Sequence, residues 1–149
     1  MEAGGGQPRI IVGVDGSAAS VQALRTARAL AAPLDAAVEA WACWDVPAGF
    51  GIYLAVGIEG FEVAAKQALR QALTDAFGVP VPPEVRGRLL RGSAAHLLID
   101  GSREAALLIV GRHGHAGFVP GSVSSACVSH AHCPVLVVPA QAEASDGGR

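Results

Sequence analysis

The chain reads as an α/β protein, a doubly wound five-stranded parallel sheet with helices on both faces. Short β-branched and apolar runs alternate along it with segments whose apolar residues recur at helical spacing. The stretch 107–139, LLIVGRHGHAGFVPGSVSSACVSHAHCPVLVVP, holds a strand, a glycine loop, a helix and a second strand in that order, a complete βαβ unit. Composition agrees: 51% of residues are hydrophobic, 16% are charged and the mean hydropathy is +0.40, as suits a parallel sheet buried on both faces. At 149 residues the chain can bury about two-thirds of its unfolded surface in one domain.

The first strand runs over 9–14 and stops at Asp15-Gly16-Ser17. Ser17 is a good N-cap for a helix in which Val21, Leu24, Ala27 and Leu30 share a stripe, and Pro33 is expected to end that helix. Residues 37–44 read as the second strand and 47–60 as a glycine-rich loop. A helix from about Phe61 to Phe77 carries Ala65, Leu69, Leu73 and Phe77 on one side. Gly78 is placed to stop it, and Pro80, Pro82 and Pro83 stiffen the linker to a third strand at 85–90. Ser93 caps a shorter helix through His96, Leu97 and Ile99, weakened by Gly101 and Ser102. The fourth strand at 107–110, the loop from Gly111 to Gly121, a helix opening at Ser122 and a fifth strand from Pro134 to Val138 complete the order. Residues 8–140 therefore form one domain, with 1–7 and 141–149 expected as disordered tails rich in small residues. Trp41 and Trp44 are expected to pack, and Cys127 and Cys133 to be small buried residues.

A net charge of −2, a single lysine (Lys66) and no basic cluster exclude a general affinity for nucleic acid or anionic lipid. Cys43, Cys127 and Cys133 are odd in number and lack CxxC spacing, which fits free thiols in a reducing compartment. The opening MEAGGGQPR has no signal-peptide pattern, and no run approaches the ~18 apolar residues of a membrane span. A cytoplasmic location with no membrane association is the expectation.

The loop after the fourth strand points to an anion. Glycines let the backbone approach a phosphate closely, and the free N–H groups of a helix start hold it. No Asp or Glu lies between Glu104 and Glu143, whereas Arg112, His113, His115, His130 and His132 all do. In an open parallel sheet the loops after the first and fourth strands are the candidates to meet at one site beyond the carboxyl ends. The loop is no Walker A motif, because Gly121 rather than lysine precedes Ser122. It is no dinucleotide fingerprint either, since Gly111, Gly114 and Gly117 are spaced differently and no ribose-binding acid follows. His113-Gly114-His115 lacks the intervening residue of an HxGH signature. The histidine pairs, each spaced i, i+2, lack a third ligand and read as solvent-facing, with no metal. No GxSxG elbow, His-Asp pair or general base is recognisable, so no catalytic residue is expected.

Three segments carry a family resemblance. IIVGVDGSAASVQALRTARALA, LLRGSAAHLLIDGSREAALLIVG and GSVSSACVSHAHCPVLVVP resemble, in order, successive parts of the universal stress protein family, the last through its GSVS…HAxCPVLVV signature. The resemblance implies a Rossmann-like, adenine nucleotide α-hydrolase-like fold and a non-catalytic, stress-related regulatory role. It also implies a homodimer formed through the last strand, Pro134 to Val138. Many family members bind ATP and others bind no nucleotide. Asp15 matches the aspartate at the adenine end, and Cys43 a position whose backbone faces the adenine. Gly111 and Gly114 match the first two glycines of the ATP motif, and Gly121 and Ser122 its closing glycine and hydroxyl. Arg112 and Val123, beside these anchors, complete the expected cofactor-binding set. The ligand so implied is ATP, with ADP or AMP as alternatives and Mg²⁺ carried by the nucleotide. Nucleotide would order the Gly111 to Gly121 loop and alter a surface read by a regulatory protein partner.

One departure bears on the ligand. Six residues separate Gly114 from Gly121, where the family motif has nine. The missing residues belong to the part that arches over the phosphates, and Pro120 stiffens what remains. Two readings from different classes stay open: an adenine-nucleotide binding protein, and a nucleotide-independent dimeric interaction module whose shortened loop has lost ATP. An enzyme of nucleotide metabolism is disfavoured for want of catalytic groups.

Overall fold

The computed structural model describes residues 6–46, 54–112 and 122–140 and places five parallel strands in one sheet. In chain order the elements are β1 (Arg9–Val14), α1 (Ala18–Leu34), β2 (Ala37–Trp44), α2 (Leu54–Phe77), β3 (Val85–Arg91), α3 (Ala94–Gly101), a 3₁₀ turn (Ser102–Glu104), β4 (Leu107–Gly111), α4 (Ser122–His130) and β5 (Val135–Val138). Most of the two expected tails, and the loop residues 113–121 with Gly114, Gly117 and Gly121, lie outside the described residues.

The strand order is β3-β2-β1-β4-β5. The chain steps outward from β1 to β3, then returns to lay β4 on the other side of β1, so the order reverses between β1 and β4. This is the doubly wound α/β architecture that the alternation of elements implies. Strand pleating sorts the core into two layers. Ile10, Val12 and Val14 of β1 join Val38, Ala40 and Ala42 of β2 beneath Leu24 and Ala27 of α1 and Leu69 and Ala72 of α2. Ile11 and Trp41, with Leu108 and Val110 of β4, face Leu98 of α3 and Cys127 of α4. Ile10, Ile11, Leu24, Leu98, Leu108 and Ile109 are completely buried. Each contributes about 1.5–3 kcal/mol relative to exposure, so both faces are held by apolar burial.

Two boundaries differ from the sequence reading. α2 begins at Leu54, not near Phe61, so residues 54–60 of the expected 47–60 loop are helical, and 47–53 lie outside the described residues. Leu54, Ile58 and Phe61 extend the apolar spacing backwards, and this continuity outweighs Gly57 and Gly60, each of which costs about 1 kcal/mol in a helix. Pro33 does not terminate α1 but lies inside its last turn. The end is set by Asp35, left-handed at φ 52°. Its N–H reaches the Ala32 carbonyl at 3.0 Å, and that of Ala36 reaches Ala31 at 2.9 Å, a Schellman pattern. Gly78 does stop α2, at φ 80°, with its N–H on the Thr74 carbonyl at 2.7 Å. β3 and β4 each extend one residue beyond expectation, to Arg91 and Gly111.

Glu39 on β2 anchors a polar cluster at the amino end of the sheet. Its side chain is 14% exposed and lies 3.0 Å from Arg9 and 4.0 Å from Arg88. The Trp41 indole N–H donates to it at 2.9 Å. Burial alone would raise the Glu39 pKa, but the Trp41 hydrogen bond, then the Arg9 bond and the Arg9 and Arg88 charges, bring it below its ordinary value. A lowered folded-state pKa adds stability that is complete above the unfolded carboxylate pKa, about 4.3, and is lost as pH falls through the folded value. The thermal midpoint of Glu39→Gln should therefore fall less than that of wild type between pH 7 and pH 3. Parallel pH profiles would show that the cluster contributes no such linkage.

Candidate functional site

A cleft opens at the carboxyl ends of β1 and β4, where the strand order reverses, the position at which open α/β sheets take ligands. Its cavity volume is about 60 Å³, and it opens to solvent. Asp15, Cys43, Gly111 and Val123 all line it, although they come from the ends of β1, β2 and β4 and the start of α4. Ala94, the first residue of α3, lies on the same rim. The starts of α3 and α4 thus border one opening, and each brings the partial positive charge of a helix N-terminus.

The local chemistry explains each wall. Asp15 follows β1 and accepts the Ser17 N–H on Oδ1 at 2.9 Å, which closes a turn over Gly16 at φ 86°. Ser17 caps α1, its hydroxyl accepting the Ser20 N–H at 3.1 Å. Gly13 leaves the cleft floor open, because a Cβ there would stand 2.9 Å from Leu98 Cδ1. Gly111 is held more tightly. A Cβ there would come within 2.8 Å of the Ala19 carbonyl carbon and 2.9 Å of the Ser20 nitrogen, both backbone atoms of α1. Its missing side chain is therefore a packing requirement as well as an opening toward the cleft.

Cys43 presents a neutral thiol. Burial, then the neighbouring Cys127, push its pKa up to about 11, and Cys127 is likewise raised to about 11 by burial and then by Cys133. Neither thiolate forms at neutral pH, so Cys43 serves as a soft apolar wall rather than a nucleophile. Cys127 is fully buried as expected, whereas Cys133 is only partly so. Among the described residues no group of three or more His, Cys, Asp or Glu is arranged to hold a metal ion. His130 and His132 are exposed. His113 and His115 lie outside the described residues.

Of the remaining expected residues, Arg112 is exposed one position beyond β4, its N–H continuing the ladder to the Val138 carbonyl at 2.7 Å. Ser122 opens α4. Gly114 and Gly121 lie outside the described residues. Sequence reasoning assigned Trp41 to packing alone, yet its ring also lines the cleft. The Arg88 guanidinium lies over it at 4.9 Å, and Gly101 of α3 sits against its far edge. Strand alternation held the signal, because Trp41 is two residues before Cys43 and shares its face.

The universal stress protein family model matches residues 8–139. The chain belongs to the universal stress protein family. A universal stress protein of Mycolicibacterium smegmatis is 33% identical over 155 aligned positions, covering 94% of this chain and 51% of its own length. Matches to mycobacterial relatives take in between 19% and 51% of their length, so the chain spans about half or less of these proteins. Among solved structures, UspA of Lactobacillus plantarum superposes with a TM-score of 0.70 at 25% identity, covering 88% of this chain and 97% of that one. A universal stress protein solved in complex with cAMP gives 0.68 at 21% identity, with 90% and 98% covered, and shares the fold. No helix among the described residues is long and apolar enough to cross a membrane.

Proposed function

We propose that this universal stress protein binds an adenine nucleotide in the cleft and acts without catalysis, as a cytoplasmic regulatory dimer formed by the 8–140 domain. One observation carries the reading: Asp15, Cys43, Gly111 and Val123, chosen from separate segments of sequence, line one cleft at the strand-order switch. In this reading the base and ribose lie against Asp15 and Cys43 over the floor made by Gly13 and Leu98. The phosphates run past Gly111 toward the start of α4, where Arg112, Gly114, Gly121 and Ser122 complete the anion site. The cAMP-bound relative supports an adenylate as the ligand class. A loop three residues shorter than the family motif favours a mono- or diphosphate over a tightly gripped triphosphate, and Mg²⁺ arrives, if at all, with the nucleotide.

The two sheet edges support the dimer. β3 carries Arg86, Arg88 and Arg91, charges that discourage edge pairing. β5 is VLVV, with Leu136 36% exposed, and offers an uncharged edge to a second copy through residues 134–138. Occupancy of the cleft would then be read by a regulatory protein.

Titration calorimetry of nucleotide-free protein with ATP, ADP, AMP and cyclic AMP in Mg²⁺ tests the reading, with sedimentation run on the same sample. We expect saturable heat with at least one adenine nucleotide, at least tenfold weaker in Asp15→Ala, from a particle of dimer mass. Stronger binding of AMP or cyclic AMP than of ATP would assign the shortened loop to a smaller phosphate. A folded dimer that gives no heat with any of them would overturn nucleotide binding and favour the interaction module, which the shortened loop also permits.

A further inference from the structure

We infer that Ser20, a residue outside the cleft lining, is the positioning residue that fixes the Asp15 wall; the inference rests on the nucleotide reading above. Ser20 is 1% exposed, among the few polar residues buried in the core. Its hydroxyl donates to the Ser17 carbonyl at 3.0 Å, and the oxygen faces the Asp15 N–H at 3.4 Å. Its own N–H is held by the Ser17 hydroxyl at 3.1 Å. The Asp15-Gly16-Ser17 turn is thus tied to one buried side chain at both ends, while the Asp15 carboxylate closes it from above through the Ser17 N–H.

Position adds to the hydrogen bonding. Asp15 is the first residue beyond β1, and the Ser20 oxygen is an acceptor that its N–H meets inside the protein. The Ser20 nitrogen also lies in the backbone wall against which Gly111 seats. One residue on the first turn of α1 therefore touches the support of both sides of the cleft, the turn carrying Asp15 and the exit of β4. Removing the hydroxyl leaves the turn its Asx bond and its cap but takes away one restraint on the Asp15 peptide, and with it part of the orientation of the carboxylate. A serine here does more than fill space, because alanine would fill nearly the same volume without orienting anything.

The test is a double-mutant cycle read by nucleotide affinity, with wild type, Ser20→Ala, Asp15→Ala and the double variant titrated with whichever of AMP, cyclic AMP or ATP binds wild type most tightly. Ser20→Ala should weaken binding roughly tenfold, the scale of one lost hydrogen-bonded orientation, and Ser20→Thr, which keeps the hydroxyl, should recover part of the loss. In the Asp15→Ala background the same change should cost less than about twofold, because the group it positions is gone. An equal loss in both backgrounds, or no loss in wild type, overturns the inference while leaving nucleotide binding intact. Amide hydrogen exchange supplies a readout that needs no ligand. The Asp15 N–H should exchange at least tenfold faster in Ser20→Ala than in wild type, with amides of the β1 core unchanged. Unchanged Asp15 exchange overturns the inference even if no nucleotide binds, a result that would separately end the nucleotide reading.

Discussion

Replacing Gly111 by alanine should lower the thermal midpoint by roughly 10 °C, with no ligand involved. A Cβ at this position would lie 2.8 Å from the Ala19 carbonyl carbon and from the Ala19 Cβ, and 2.9 Å from the Ser20 nitrogen. Overfilling a packed site typically costs about 1–3 kcal/mol, and the upper end applies where the obstacle is backbone that no rotamer change can move. At about 3–4 °C per kcal/mol for a chain of this size, the shift follows. Gly13 supplies the contrast. Its nearest obstacle is Leu98 Cδ1 at 2.9 Å, the end of a side chain that can turn, so Gly13→Ala should unfold within a few degrees of wild type while partly filling the cleft floor. The two alanine variants, melted side by side, separate a glycine the fold requires from one that the cleft uses. If Gly111→Ala melts with wild type, the close approach of β4 to α1 is not what fixes this residue. If the loss is as expected, reduced nucleotide binding in any Gly111 variant cannot be assigned to a phosphate contact, because the start of α1 will have moved.

That double role shows where sequence reasoning stopped. Gly111 was legible as a site residue from its place after a strand, but the packing demand came from Ala19 and Ser20, more than ninety positions away in the chain. Local chemistry was readable wherever one strong signal acted alone. Ser17 caps α1, Gly78 closes α2, and the apolar runs of β1, β4 and β5 are strands. It failed where two signals opposed each other. Gly57 and Gly60 suggested a loop, yet the spacing of Leu54, Ile58 and Phe61 continues the helix through them. Pro33 suggested a stop, but the left-handed Asp35 two residues later ends the helix. The convergence of Asp15 and Gly111 could be anticipated from the rule that ligands sit at the strand-order switch, and Cys43 from the family resemblance alone. The bracing of Trp41 could not, because its partners lie on β3 and α3 and no local pattern announces them.

Trp41→Ala is the substitution expected to cost the most. Trp41 is only 6% exposed, and truncating a buried tryptophan typically costs about 3–5 kcal/mol through lost transfer energy and the remaining cavity. The loss reaches the polar cluster too. Glu39 would lose the indole N–H that donates at 2.9 Å, and Arg88 the ring beneath it at 4.9 Å. A fall in the thermal midpoint of roughly 10–15 °C should result. The mechanism has a sharper test in Gly101. A Cβ on Gly101 would overlap the Trp41 ring and come 3.4 Å from Ile11 Cδ1, so Gly101→Ala should destabilise wild type. With Trp41 already truncated, the same methyl enters the cavity, and alanine gains up to about 1 kcal/mol over glycine in a helix. The sign of the Gly101→Ala effect should therefore reverse between the two backgrounds, with denaturant unfolding of the four proteins giving a coupling above about 1 kcal/mol. Additive losses would mean that Gly101 is required for a reason other than the tryptophan. Because the same ring lines the cleft, its fluorescence should also change when ligand enters. The residue that holds α3 against the sheet would then report on the site that α3 helps to form.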